Sequence, residues 1–164
     1  MKATVLLLLL FISSVGNARL FNYELECIYN NAKQFELDPY LILSIAYVES
    51  RLDKQAIRTN KNNTTDIGLF QINSKNLQHK ALFKLSQNNT CFASFVASKI
   101  YKNCKTKFKN KYKAIDCYNK GSKAKSNSIY VKRVLSVYRY YLKTKLFEKC
   151  TTQVLYKSYC PVIL

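Results

Sequence analysis

Tryptophan is absent from this 164-residue chain, and glycine, proline, histidine and methionine are scarce at three, two, one and one. So few glycines and prolines argue against a low-complexity linker, and no internal repeat breaks the chain into units. The chain therefore reads as one compact, mostly helical domain. A single histidine, His79, is too few for a zinc site, and no two cysteines stand as CxxC, so neither a metal nor a thiol-redox centre is expected, and no cofactor. Acids are also scarce: nine Asp and Glu face 27 Lys and Arg, for a formal charge of +18. Such a field favours polyanions, whether nucleic acid, anionic lipid or an anionic cell-wall polymer. No nucleic-acid-binding motif accompanies the lysines, which are spread along the chain and densest from Lys99 to Lys125. Specific nucleic-acid binding is not expected, since a solvated basic surface and genome base composition explain the lysines equally well.

Long apolar runs are missing too, except at the start. Lys2 precedes "TVLLLLLFI", which is too short to span a bilayer, and Gly16 and Ala18 give a small-x-small cleavage pattern. Residues 1–18 are expected to be a signal peptide and 19–164 the mature domain, periplasmic or secreted, not membrane-spanning and monomeric. Six cysteines follow: Cys27, Cys91, Cys104, Cys117, Cys150 and Cys160. An even count in an exported chain implies disulfides. The expected pairing is Cys27 with Cys91, Cys104 with Cys117 and Cys150 with Cys160, the last two local in sequence.

Helical spacing is clear in "NYELECIYNNAKQFEL", with Leu25, Ile28, Tyr29, Ala32 and Phe35 in phase. Asp38-Pro39 reads as an N-cap followed by proline at the first helical position. The helix it opens, running to about Ser50, is apolar around most of its circumference and so should be buried. Residues 51–66 turn polar and suggest a loop or a strongly turned hairpin. "IGLFQI" is expected to be extended, with Asn73 and Ser74 offering caps for a short helix. "CFASFVASKIYKNC" and "YKAIDCYNKGS" read as helices, the second ended by Gly121. "IYVKRVLSVYRYYLKTKLF" is a long amphipathic helix with Ile129, Val131, Val134, Leu135, Val137, Tyr138, Tyr141 and Leu142 on its packed side. The tail 150–164 should be stapled back by its disulfide.

One acid breaks the pattern. Glu49 ends the apolar run "PYLILSIAYVES". A carboxyl group there is desolvated and near the negative end of a helix dipole, and both effects raise its pKa. A carboxylic acid protonated near neutral pH can give a proton to a leaving oxygen. On the helix alone, an ordinary solvated or salt-bridged glutamate is the better reading.

The neighbourhood changes that. Glu49-Ser50 followed by "DIGLFQINS", residues 66–74, resembles the signature shared by bacterial lytic transglycosylases and c-type lysozymes. "AIDCYNKGS", residues 114–122, is similar to the transglycosylase element with Tyr-Asn-x-Gly, and "NNTCFASFVASKIY" resembles the segment behind the cleft. The resemblance covers residues 25–142 and implies a lysozyme-like fold: mainly α, with a small β-hairpin or irregular region, stabilised by disulfides. It implies Glu49 as the catalytic acid and Ser50, Gly68, Gln71, Asn73, Tyr118 and Asn119 as substrate-binding residues, with the Tyr118 hydroxyl aimed at the catalytic carboxyl. Phe70 and Ile72 are expected in the core. Lys120 departs from the small residue usual in that element, and Cys117 stands where alanine is common.

Asp66 follows Glu49 by 17 residues, the spacing a c-type lysozyme has between its two carboxyls. Glycoside hydrolysis ordinarily uses two; here that general scheme has lysozyme as its own type case. Transglycosylases need one, which acts as acid and then as base on the muramic C6 hydroxyl. The Tyr-Asn-x-Gly element, six cysteines and no tryptophan favour a lytic transglycosylase acting on peptidoglycan, of the small type that serves secretion or conjugation machinery. The alternatives are a hydrolytic muramidase using Glu49 and Asp66 and, in a different class, a non-catalytic peptidoglycan-binding or assembly protein. Intact Glu49, Gln71 and Tyr118 argue against the last. Three N-x-T triplets, at Asn62, Asn63 and Asn88, carry meaning only in a eukaryotic secreted protein.

Overall fold

The computed structural model describes residues 19–77, 79–148 and 159–161. The expected signal peptide, residues 1–18, lies outside them. Among the described residues no helix is long and apolar enough to cross a membrane. The fold is mainly helical with a small β region and two disulfides, consistent with a lysozyme-like architecture.

Helix α2 (Pro39–Ser50) is the central element. Asp38 caps it, accepting from the Tyr40 N–H at 2.9 Å, and Pro39 occupies the first turn. Leu41 to Ala46 are all buried, and the one hydroxyl among them, on Ser44, donates to the Tyr40 carbonyl at 2.6 Å. A buried polar group satisfied within its own helix costs little. The helix stops at Arg51, which takes a left-handed conformation (φ 58°) and returns its N–H to Tyr47 O.

Around α2 pack α1 (Asn22–Gln34), α4 (Thr90–Lys107) and α6 (Ile129–Thr144), with α5 (Lys111–Lys120) bridging α4 and α6. Helix α4 starts at Thr90 under an Asn89 cap, and a separate α3 (Lys80–Asn88) precedes it. On α6 the buried stripe is Val131, Val134, Val137 and Tyr141. Ile129 and Leu142, expected on that side, are 69% and 41% exposed, because at 3.6 residues per turn they point away from the stripe.

Two disulfides bind the helices: Cys27–Cys91 joins α1 to α4, and Cys104–Cys117 joins α4 to α5. The expected Cys150–Cys160 bridge lies outside the residues whose side chains are described. Residues 159–161 form β5 (Tyr159–Pro161), which pairs antiparallel with β1 (Arg19–Phe21). A buried Glu24 on α1 adds a polar tie, meeting Lys54 Nζ at 2.9 Å and the Thr90 hydroxyl at 2.7 Å.

The polar stretch after α2 forms a three-stranded antiparallel sheet of β2 (Ile57–Thr59), β3 (Thr65–Ile67) and β4 (Ile72–Asn73), in that order. "IGLFQI" is not extended. Gly68 (φ 70°) and Gln71 (φ 46°) fold it into a tight turn that points Leu69 and Phe70 together into the core. Alternation along a strand would have sent one of those two side chains to solvent. Gly68 is needed there: its φ is left-handed, and a Cβ would stand 3.2 Å from Gln87 Cα and Ser86 O. Asn73 and Ser74 cap no helix. Asn73 Oδ1 accepts from Lys75 N at 2.9 Å in a local turn instead, which is what a short amide side chain does most readily.

Candidate active site

A cleft of about 790 Å³ runs between the three-stranded sheet and the wall made by α4 and α5. Glu49 and Asp66 are the acids lining it; Arg58, Lys61, Lys75 and Lys120 are the cations. Half of the other lining residues are amides, including Asn60, Asn73, Asn103 and Asn119.

Glu49 reaches this cleft from the last turn of α2. One edge faces the opening, and protein surrounds the rest. Burial is the largest influence on its carboxyl, and the Asp66 charge adds to it; the Tyr130 hydrogen bond and the Arg58 charge oppose them. The net result pushes the pKa up to about 7. At neutral pH the group is therefore divided between acid and carboxylate, the poise suited to giving and then taking a proton.

Asp66 is held quite differently. Asn60 donates to its Oδ2 at 2.8 Å and Asn73 to its Oδ1 at 2.6 Å. The same two amides also donate to the Thr64 hydroxyl oxygen, at 3.1 and 2.9 Å. Strand register explains the meeting, since Asp66 lies opposite Arg58 on β2 and opposite Asn73 on β4.

The cleft gathers six of the sequence-expected residues: Glu49, Asp66, Gln71, Asn73, Tyr118 and Asn119. Gln71 spends its amide hydrogens on Ala56 O and Gly68 O, at 3.2 and 3.0 Å, and so holds the turn. Its oxygen has no protein donor among these bonds. Asn119 is exposed on the far wall. Ser50 and Gly68 do not line the cleft. The Ser50 hydroxyl donates to Leu69 O at 2.8 Å, and Gly68 packs on the end of α3, so both shape the floor beneath it.

Tyr118 requires a correction. Its hydroxyl does not go to the Glu49 carboxyl but donates to Phe70 O at 2.9 Å, because α5 brings it level with the 68–71 turn. Burial and the nearby charges of Glu49 and Asp66 push its pKa well up, which keeps it a donor. The hydroxyl that meets Glu49 belongs to Tyr130, in the first turn of α6, which donates to Oε1 at 2.6 Å. Sequence reasoning missed it by starting the packed stripe at Ile129. Extending the Val134, Val137, Tyr141 phase back by four residues reaches Tyr130. Arg58, Asn60 and Thr64 were missed as well: strand register sets Arg58 opposite Asp66, and the turn between β2 and β3 brings in Asn60, which also binds Thr64. Among the described residues no cluster of His, Cys, Asp or Glu forms a metal site.

Comparison with known proteins yields one family model, described as "Transglycosylase SLT domain", which matches residues 26–135. Similar curated proteins include Protein IpgF of Shigella flexneri, 26% identical over 147 residues, covering 87% of this chain and 92% of that protein. Invasion protein IagB of Salmonella typhimurium (strain LT2) is 27% identical over 121 residues, covering 70% of this chain and 76% of its own length. Invasion protein IagB of Salmonella typhi is similar to the same extent.

Proposed function

Because the chain belongs to the transglycosylase SLT domain family, we propose that it cleaves the β-1,4 bond between N-acetylmuramic acid and N-acetylglucosamine in peptidoglycan, with Glu49 as the catalytic residue. The observation that carries this reading is a carboxyl poised at about 7 inside a polar, amide-lined cleft. Protonated Glu49 gives its proton to the glycosidic oxygen as the bond to the muramic C1 breaks. The glutamate carboxylate left behind takes the proton of the muramic C6 hydroxyl, whose oxygen closes on C1. The product carries a 1,6-anhydro ring, and Glu49 ends as it began. The Tyr130 hydroxyl steadies the carboxylate between the two transfers. Tyr118 acts through the 68–71 turn, holding the floor against which the sugar lies.

Asp66 favours one alternative, hydrolysis by a two-carboxyl muramidase, because it shares the cleft with Glu49. Against this stands the Tyr-Asn-x-Gly element at residues 118–121, which resembles transglycosylases and not c-type lysozymes. The relatives named as invasion proteins favour a second alternative, in which the domain binds the wall or an assembly without cutting. The preferred role accommodates those relatives: local opening of the wall for a secretion or invasion apparatus, outside the cytoplasm, where the disulfides persist.

Digestion of purified peptidoglycan separates the three. Mass spectrometry should find anhydro-muramic ends, and Glu49→Gln should abolish release. Reducing ends, one water heavier, would establish the muramidase. Retained binding to sacculi with no sugar released would establish the non-cutting role.

A further inference from the structure

Three consecutive residues of α5 each tie a different element to it. Cys117 is bonded to Cys104 on α4, and the Tyr118 hydroxyl donates to Phe70 O in the turn of the sheet. The third, Asp116, is fully buried, and among the described residues no lysine or arginine forms a salt bridge with it. It meets the start of α6 instead. Its Oδ2 accepts from Lys125 N at 2.7 Å and its Oδ1 accepts from the Ser128 hydroxyl at 2.5 Å.

Ser128 is the N-cap of α6, accepting from Val131 N at 3.2 Å through the same hydroxyl that it donates to Asp116. Tyr130 is two residues further on. A first helical turn has few hydrogen bonds of its own and frays unless capped. A hydroxyl at 2.6 Å from a carboxylate tolerates little drift. Burying an unpaired carboxylate is costly, and an apolar residue would fill the space more cheaply. We propose that Asp116 is a positioning residue which, through the Ser128 cap, fixes the first turn of α6 so that the Tyr130 hydroxyl meets Glu49. Its importance for catalysis rests on the role proposed above for Glu49; the linkage itself does not.

The groups facing Glu49 are Tyr130 from α6, Tyr118 from α5, Asp66 from β3 and Arg58 from β2. Among the described residues only Tyr130 donates a side-chain hydrogen bond to it. A donor to the carboxylate favours the charged form, so its loss raises the titration midpoint. The experiment is a ¹³C NMR titration of the Glu49 carboxyl in the full chain, comparing the wild type with Tyr130→Phe, Asp116→Ala and Ser128→Ala. Tyr130→Phe should move the midpoint up by about one pH unit. Asp116→Ala and Ser128→Ala should each move it up in the same direction, and adding either to Tyr130→Phe should move it no further. Ser128→Ala removes one hydroxyl and leaves the Asp116 bond to Lys125 N, so it carries the test where Asp116→Ala fails to fold.

A purely structural Asp116 predicts lower denaturation midpoints with the Glu49 titration unmoved, and that result overturns the proposal. An unmoved midpoint in Tyr130→Phe overturns it as well. The titration reads the carboxyl whether or not glycan is cut. Cleavage that survives Glu49→Gln would sink the catalytic reading while leaving the linkage standing.

Discussion

Glu49→Gln should stabilise the protein, and only at high pH. In the folded state the carboxyl titrates at about 7 against an ordinary 4.5, with burial the largest cause. A folded-state value above the unfolded one means that folding favours the protonated form. That benefit is complete below about pH 4.5, fades as pH rises and is gone above about 7, where the native state must hold a desolvated carboxylate. The interval of about 2.5 pH units corresponds to about 3 kcal/mol at ~1.4 kcal/mol per unit. The amide of Gln keeps the shape and an acceptor for Tyr130 but never ionises. Thermal melts of the two proteins should coincide near pH 4. They should separate through pH 5 to 7 and differ by roughly 6–12 °C above pH 8, the variant being the more stable. Other ionisable groups are common to both proteins and drop out of the difference. A difference independent of pH, or one that shrinks as pH rises, would refute the claim that Glu49 is held as a desolvated acid.

Asp66→Asn should lower the Glu49 titration midpoint, because it removes a like charge, and mass spectrometry should still find anhydro ends at a rate within about tenfold of wild type; a two-carboxyl hydrolase would lose several orders of magnitude. Glu24→Gln should lower stability by about 2 kcal/mol, read from the urea midpoint. That figure is below the range for a deeply buried pair because Lys54 is about a third exposed. Replacing both Cys27 and Cys91 by alanine should cost about 4 kcal/mol, since that bridge closes a 64-residue separation in the unfolded chain, and calorimetry measures the loss.

The helices were legible because each carries its own local signal. Asp38-Pro39 marks the start of α2, Gly121 the end of α5, and the apolar run 41–46 announces a buried centre. The acid was legible only through its neighbourhood: the helix alone favoured an ordinary solvated or salt-bridged glutamate, and Ser50 with "DIGLFQINS" singled Glu49 out. What failed depends on packing that no local pattern encodes. Leu69 and Phe70 are adjacent in sequence and both fully buried, which an extended strand does not allow, so the chain turns at Gly68 and Gln71. Tyr118 was expected at Glu49 because its motif suggested it. Which tyrosine arrives there is decided by where α6 begins, and that is set by Ser128 and Asp116 across a loop. Asn60 meets Asp66 only through the turn between β2 and β3.

The two carboxyls of the cleft are supported in opposite ways, and this bears on the chemistry. Glu49 is buried and, among the described residues, meets one hydroxyl donor, so its proton is mobile near neutrality. Asp66 is clamped on both oxygens by amides that also hold Thr64, so any movement of it strains β2, β3 and β4 together. Each Asp66 oxygen accepts one amide hydrogen bond and keeps a second lone pair, so the clamp restricts movement and not basicity. The clamped carboxylate is good at keeping three short strands in register and at placing a fixed negative charge beside Glu49. That charge raises the Glu49 pKa alongside burial, whereas Arg58 lowers it. One mobile proton on one carboxyl, set by a fixed neighbour, is what single-residue acid–base chemistry requires. The sheet that holds Asp66 thus keeps beside Glu49 the charge that helps raise its pKa.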